Sequence, residues 1–443
     1  MSMSIRRISA FALLICGLIS LRAEPGKVSI NSDQVMVING KKVFPIGFTM
    51  PPPPDGKTPE GKNAIQELSD AGANFMRTGA WGSGWNKETI ALEQKYEDAA
   101  AKYGMHCLPY LKELAAVKPG NKERAKQLEY VVKKFRDHPG LGAWKGEDEP
   151  EWGKQPLEPL LTTRDIIRKQ DANHPIVIIH APRGTVETLR PYNQTGDIIG
   201  ADVYPVSYPP ASHSLLANKE LSMVGDYTRT MMETANGKMP VWMVLQIAWS
   251  GVLKEGKTLR FPTFPQERFM TYQAIINGAR GLLYFGGNIE IAQSAADAKL
   301  GWNWRFWNRV LRPVIEEIGD KSPLNPALLV ADSKLPVLAA VKESSSGKAP
   351  KETAIASPNR PFTNNTTNLF PIEFCVREVG DEIFVLACNR ENDSTLKVQF
   401  SGLPATSTGG DMMFEEPRKV SIKNGKFSDW FGPFEVHVYR FKR

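Results

Sequence analysis

Along residues 27–319, short apolar runs alternate with longer stretches in which apolar residues recur every three or four positions. The first pattern reads as buried strand and the second as amphipathic helix. Their regular alternation implies parallel strands joined by crossover helices. Eight strands are expected, at Val43–Phe48, Asn74–Thr78, Met105–Tyr110, Leu141–Lys145, Ile176–His180, Asp197–Asp202, Val241–Gln246 and Gly281–Phe285. Helices are expected over 61–71, 88–103, 122–137, 157–170, 185–189, 218–235, 266–277 and 304–318. VFPIGF, IVIIH and VWMVLQ are almost continuously apolar, as strands enclosed by helices are. Eight strand–helix pairs in roughly 280 residues predict a (β/α)8 TIM barrel over residues 24–322. An open doubly wound sheet is the competing layout, but no GxGxxG follows the first strand.

The pattern changes near Asn325. Strands now follow one another closely, at Leu335–Val341, Ile372–Val379, Ile383–Asn389, Leu396–Phe400 and Val436–Phe441, with a hairpin turn at Gly380-Asp381. They predict a small antiparallel β-sandwich over residues 323–443. A Ser/Pro/Asn/Thr-rich stretch from Ser344 to Asn368 reads as a long loop. Trp430, Phe431 and Phe434 read as packing against the barrel.

The N-terminus sets the compartment. Arg6 and Arg7 precede an apolar run from Ile8 to Leu21, and Ala23 offers a small residue before Glu24. This is the layout of a signal peptide over residues 1–23, and it implies a secreted or periplasmic protein with no stable membrane insertion after cleavage. A membrane anchor is the alternative. A lipoprotein through Cys16 fits less well, because bulky Ile15 precedes the cysteine. The net charge of +7 falls to +4 once Arg6, Arg7 and Arg22 leave with the signal. With lysines scattered, nucleic-acid binding has little support. Cys107, Cys375 and Cys388 remain, none spaced as a zinc or CxxC site. Cys375 and Cys388 lie on adjacent strands, where a disulfide and two free thiols both remain open. The six histidines form no HxH or HExxH group, so neither a metal nor another cofactor is expected.

Chemistry in a barrel gathers where strands end. Those ends carry Arg77, Glu147-Asp148-Glu149, His180, Asp202 with Tyr204, Gln246 with Trp249, and Phe285. Three adjacent acids at a strand end repel one another, so at least one pKa should rise. A carboxyl so shifted can protonate a leaving oxygen near neutral pH. A solvated acidic loop is the plain alternative. Trp81, Trp85, Trp249, Trp302 and Trp304 fall in or beside the same loops. Sugar C–H faces stack on such rings, although tryptophans also fill loop cores.

The phrases VMVINGKKVFPIGF, HPGLGAWKGEDEP, DVYP and FSDWFGPFEVHVY together resemble the retaining (β/α)8 glycoside hydrolases of clan A over most of the chain. The resemblance implies a β-linked oligo- or polysaccharide substrate. It places Glu149 as acid/base, Asp148 where an asparagine holds the sugar 2-hydroxyl, Arg77 as support for the nucleophile and Tyr204 as a supporting tyrosine. It also exposes a departure. Gln246 stands where the nucleophilic glutamate is expected, and no acid occurs between Val241 and Leu253.

Four explanations follow. Another acid serves (Asp202, Glu255 or Glu290), the enzyme inverts, the substrate supplies the nucleophile, or the barrel binds sugar without cleaving it. Asp202 lies two strands from Glu149. At about 4.8 Å per strand, that offset gives roughly 9 Å before side chains reach inward, which suits a water-activating base. Catalysis is thus expected at Glu149 and Asp202. Substrate contacts are expected at Arg77, Trp81, Asp148, His180, Tyr204, Gln246, Trp249 and Trp302. A non-catalytic glycan-binding barrel and a structural surface protein are the competing functions.

Overall fold

The computed structural model describes residues 26–82, 84–249, 251, 254–347, 355–356 and 370–443. The signal-peptide reading of residues 1–23 and most of the expected 344–368 loop lie outside them. Among the described residues, no helix is long and apolar enough to cross a membrane.

Eight parallel strands form the barrel wall: Ile46–Phe48, Phe75–Met76, His106–Cys107, Trp144–Asp148, Ile176–His180, Ile198–Asp202, Val241–Gln246 and Gly281–Phe285. Strand one pairs with both strand two and strand eight, and pairing continues around to strand four. Parallel bridges Cys107↔Leu141 and Tyr110↔Lys145 close the ring between strands three and four. A three-stranded antiparallel sheet, Val28–Ile30, Met36–Ile38 and Lys41–Val43, precedes the barrel. Its Val28, Met36 and Ile38 join the interior cluster of Phe75, Leu108, Val177, Trp242 and Leu283. They close the end of the barrel opposite the mouth.

The helices form where caps and spacing agree. Asn86 accepts from Thr89 N–H at one end of Lys87–Tyr103, and Gly104 stops it in the left-handed conformation (φ 70°). In Lys122–Phe135 the buried residues Leu128, Val131, Val132 and Phe135 follow i, i+3, i+4, i+7. Truncating Leu128 to alanine there would cost roughly 2–5 kcal/mol. Phe264–Ile276 is buried on every side from Glu267 onward, because a second layer covers its outer face.

That layer is the sandwich. One sheet orders Ile355–Ala356, Leu338–Ser344, Leu396–Ser401, Phe427–Phe431. The other orders Ile372–Val379, Glu382–Asn389, Val436–Lys442, Thr408–Met412. Along Glu382–Asn389 the two faces divide the burial. Phe384, Leu386 and Cys388 pack with the barrel helices, while Ile383, Val385 and Ala387 fill the sandwich. A strand buried on both faces loses polar alternation, which is why this one reads so clearly in sequence.

Several expectations need correction. The first strand divides at Phe44-Pro45 into Lys41–Val43 and Ile46–Phe48. The fourth strand runs Trp144–Asp148, three residues later than expected, since Leu141 bridges only to strand three. Strands Thr408–Met412 and Phe427–Phe431 were not anticipated, because glycines and polar residues dilute their pattern. Of the three C-terminal aromatics, only Phe434 meets the barrel, 4.8 Å from Phe269. Phe431 lies in the sandwich core and Trp430 is exposed. Cys375 and Cys388 are both buried. They face Leu386 and Glu373 across the hairpin rather than each other.

Candidate active site

The acidic run leaves the sheet through a bulge. Strand four matches Lys145 to Val177, then slips so that Asp148 opposes Ile179. Residues three apart in a regular strand face opposite ways, but the extra residue turns both Lys145 and Asp148 inward. Their charges meet at 2.9 Å. Glu149 follows in the left-handed region (φ 49°), and its N–H donates to the Ile179 carbonyl at 2.7 Å. Such a backbone costs a non-glycine residue on the order of 1–3 kcal/mol and recurs at functional sites.

The cleft is a cavity of about 220 Å³ at the barrel mouth. Arg77, Lys145, Asp148, Glu149, Asp202 and His213 supply its charge, and Tyr204, Trp249 and Phe285 its aromatic wall. Pockets that enclose a drug-sized ligand run roughly 300–1,000 Å³, so this one suits a single sugar ring. Arg77 is buried, donates from Nε to the Thr49 carbonyl at 3.1 Å, and lies 3.7 Å from Asp148. Its guanidinium also sits 4.4 Å from the centre of the exposed Trp81 ring. His213 enters from the long connection after strand six. Its Nε2 is 3.1 Å from Glu149 Oε1 and 3.3 Å from Asp202 Oδ2. The ring stacks on Tyr204 at 5.3 Å and lies 5.1 Å from Trp249, and Arg183 Nε holds its carbonyl at 3.0 Å.

The electrostatics separate the acids. Burial pushes Glu147 upward, with Lys145 opposing. Burial also pushes on Asp148, but Lys145 and Arg77 together hold it below the ordinary carboxylate value. Asp202 is lifted to about 6 by burial, against the pull of His213. Burial works against charge on His213, yet hydrogen bonds to Asp202 and Glu149 hold it at about 9. Burial draws the Lys145 ammonium below its usual value, with Asp148 opposing.

Of the residues expected from sequence, Arg77, Asp148, Glu149, Asp202, Tyr204 and Trp249 line the cleft, and Trp81 stands beside it. Three do not reach it. His180 alternates with Ile179, so its ring turns into the barrel wall, fully buried beside Tyr192. There burial lowers its pKa to about 3. Trp302 is buried against Phe48, Trp304 and Trp307, and its indole N–H donates to the Met50 carbonyl at 2.8 Å. Trp85 and Trp304 are likewise core residues.

Gln246 is the most informative of the three. It is fully buried, accepts from Val206 N–H and donates to Val206 C=O, both at 2.8 Å. The amide staples the strand-six loop. A carboxylate could not donate the second bond. Glu255 and Glu290 are exposed and off the cleft. One carboxylate oxygen of Glu149 and one of Asp202 lie within 4.8 Å of each other, and His213 Nε2 is at 3.1 and 3.3 Å from an oxygen of each. The roughly 9 Å expected from strand spacing is a separation before side chains reach inward, and the side chains close part of it.

Lys145 and His213 were missed in sequence. A lysine inside an apolar strand is itself a signal, since burying its charge demands an acid nearby. His213 carried none. By donor type, Glu149, Asp202 and His213 resemble a cation cluster, but the imidazole nitrogen is already engaged by both carboxylates. Donor atoms of Glu93, Glu97 and Cys107 also converge, fully buried in the barrel wall. Burial lifts Glu93 to about 7 there and Glu97 well above its usual value.

No protein-family model and no curated protein matches the sequence. Solved structures do match in shape. One described as a glycoside hydrolase superposes with a TM-score of 0.60 at 14% identity, covering 94% of this chain and 97% of that one. A family 5 glycoside hydrolase from Bacteroides vulgatus ATCC 8482 superposes with a TM-score of 0.60 at 12% identity, covering 94% and 92%. The chain therefore has the barrel-and-sandwich fold found in these glycoside hydrolases.

Proposed function

We propose that the protein is an exported glycoside hydrolase that cleaves a β-linked oligo- or polysaccharide. Glu149 serves as acid/base and Asp202 as the nucleophile that the seventh strand lacks. One observation carries the reading: two acids with carboxylate oxygens within 4.8 Å of each other line one cleft at the mouth of the barrel, beside an aromatic wall. Retaining pairs stand about 5–5.5 Å apart and inverting pairs roughly 6.5–9.5 Å, with a water between. Here His213 Nε2 bridges one oxygen of each acid. Asp202 is read as the group that attacks the anomeric carbon, and attack by water that Asp202 activates is the alternative that product stereochemistry separates from it. Asp148, neutralised by Lys145 and Arg77, is placed to accept from a sugar hydroxyl. The matched structures support a carbohydrate substrate by analogy of fold, and residues 1–23 support export.

A glycan-panel assay with product anomers read by NMR tests this directly. Retention of configuration, lost in Asp202→Asn and Glu149→Gln, is the expected outcome. Inverted product would remove Asp202 as nucleophile. The second reading, a sugar-binding barrel without turnover, draws on the neutral Gln246. It predicts glycan affinity in the wild type with no hydrolysis of any substrate in the panel.

A further inference from the structure

We infer that His213 stores the proton that Glu149 delivers to the leaving oxygen, an inference that rests on the glycosidase reading above. The geometry is a single ring nitrogen held between two carboxylates, at 3.1 Å from Glu149 and 3.3 Å from Asp202. An imidazolium with two carboxylates holds as many protons as a neutral imidazole with one acid and one carboxylate. The second arrangement is the one that acid-assisted displacement requires.

Interconversion needs one step along an existing hydrogen bond. The Nε2–H bond breaks and the Oε1–H bond of Glu149 forms. Asp202 stays ionised and free to attack. As the anomeric carbon bonds to Asp202, the leaving oxygen takes the Glu149 proton, and the imidazole stays neutral. Glu149 then removes a proton from the incoming water, whose oxygen displaces Asp202. That proton returns to Nε2 when product leaves, so the cycle closes without an outside donor.

The surroundings favour charge on the ring. Asp148 and Glu149 face it from strand four, and Asp202 and Tyr204 from strand six. Trp249 packs beside it from strand seven, with Lys257 4.5 Å from that indole. Arg183 meets His213 at its backbone carbonyl, and its guanidinium lies over the Trp152 ring at 3.7 Å. The carboxylates outweigh burial, which alone would neutralise the ring, and hold it at about 9. Asp202 meets the ring through Oδ2, with Tyr204 beside the same carboxyl.

The test compares wild type and His213→Gln on aryl glycosides of graded leaving-group ability. The variant should lose about 100-fold or more on poor leaving groups. On a dinitrophenyl glycoside, which departs without protonation, the loss should stay within about threefold. A loss equal across the series would assign His213 a purely structural part and overturn the inference. A second measurement needs no turnover. Ring-nitrogen NMR of the wild type should show His213 titrating near pH 9, and lower in Glu149→Gln and in Asp202→Asn. A ring already neutral at pH 7 in an enzyme that cleaves glycosides would overturn the inference alone. No turnover of any glycoside by the wild type would overturn the glycosidase reading and this inference with it.

Discussion

Two of the charge clusters taken out of water among the described residues end in opposite states. One lies where the sandwich docks on the barrel. There Glu373 accepts from Arg229 at 2.6 Å, from Arg390 at 3.3 Å, and from Gln273 and Asn277 at 2.9 Å each. Asp226 beside it is shared by Arg229, Arg390 and Asn218. The other cluster is the cleft, where His213 is the single cationic partner of Asp202 at hydrogen-bond distance and Tyr204 lies beside it. Burial pushes both carboxyls upward, but Arg229 and Arg390 pull Glu373 down to about 2, whereas Asp202 stays at about 6. Partner count, rather than burial, decides which acid is locked as structure and which stays available to react.

That contrast can be broken from either side. The largest effect belongs to the cleft. Asp202→Asn or Glu149→Gln should lower kcat by about 10²–10⁴-fold, while thermal unfolding shows a folded protein. A melting temperature that falls as far as the activity would place Asp202 with the structural acids instead. At the interface, Arg390→Ala should cost about 3–5 kcal/mol in a denaturant titration, because Glu373 and Asp226 lose a buried partner. Glycan binding by the folded fraction should not change.

Acid separates the clusters next. The folded Glu373 value of about 2 lies below its ordinary 4.5. Its contribution is therefore complete above pH 4.5 and is lost as pH falls toward 2. Comparing wild type with Glu373→Gln across that window should show a difference on the order of 3 kcal/mol in the acid slope of stability. Asp202, raised rather than lowered, shifts the other way and adds no such protection.

Gln246→Glu is the sharper test of the seventh strand. It sets a carboxylate against the Val206 carbonyl and should destabilise by about 1–3 kcal/mol with no gain in turnover. Raised kcat would show that this position addresses the substrate after all. The smallest expected effect is Trp249→Ala. Stacking worth about 0.5–1.5 kcal/mol predicts a roughly 2- to 12-fold rise in KM.

The sequence by itself determined the barrel, because helices outside and strands inside leave different periodicities, and each of the eight strand segments is legible on its own. It also marked Arg77, Asp148, Glu149, Asp202, Tyr204 and Trp249, since strand ends in a barrel share one rim. The side-chain directions at that rim were decided only in three dimensions. A one-residue bulge after Lys145 turns the acidic run inward. Ordinary alternation turns His180 into the wall, and Gln246 spends its amide on Val206. His213 reaches two carboxylates 64 and 11 positions away in the chain. Periodicity records which residues are buried, but a polar group's partner is fixed by the distance and direction of atoms brought together by the fold.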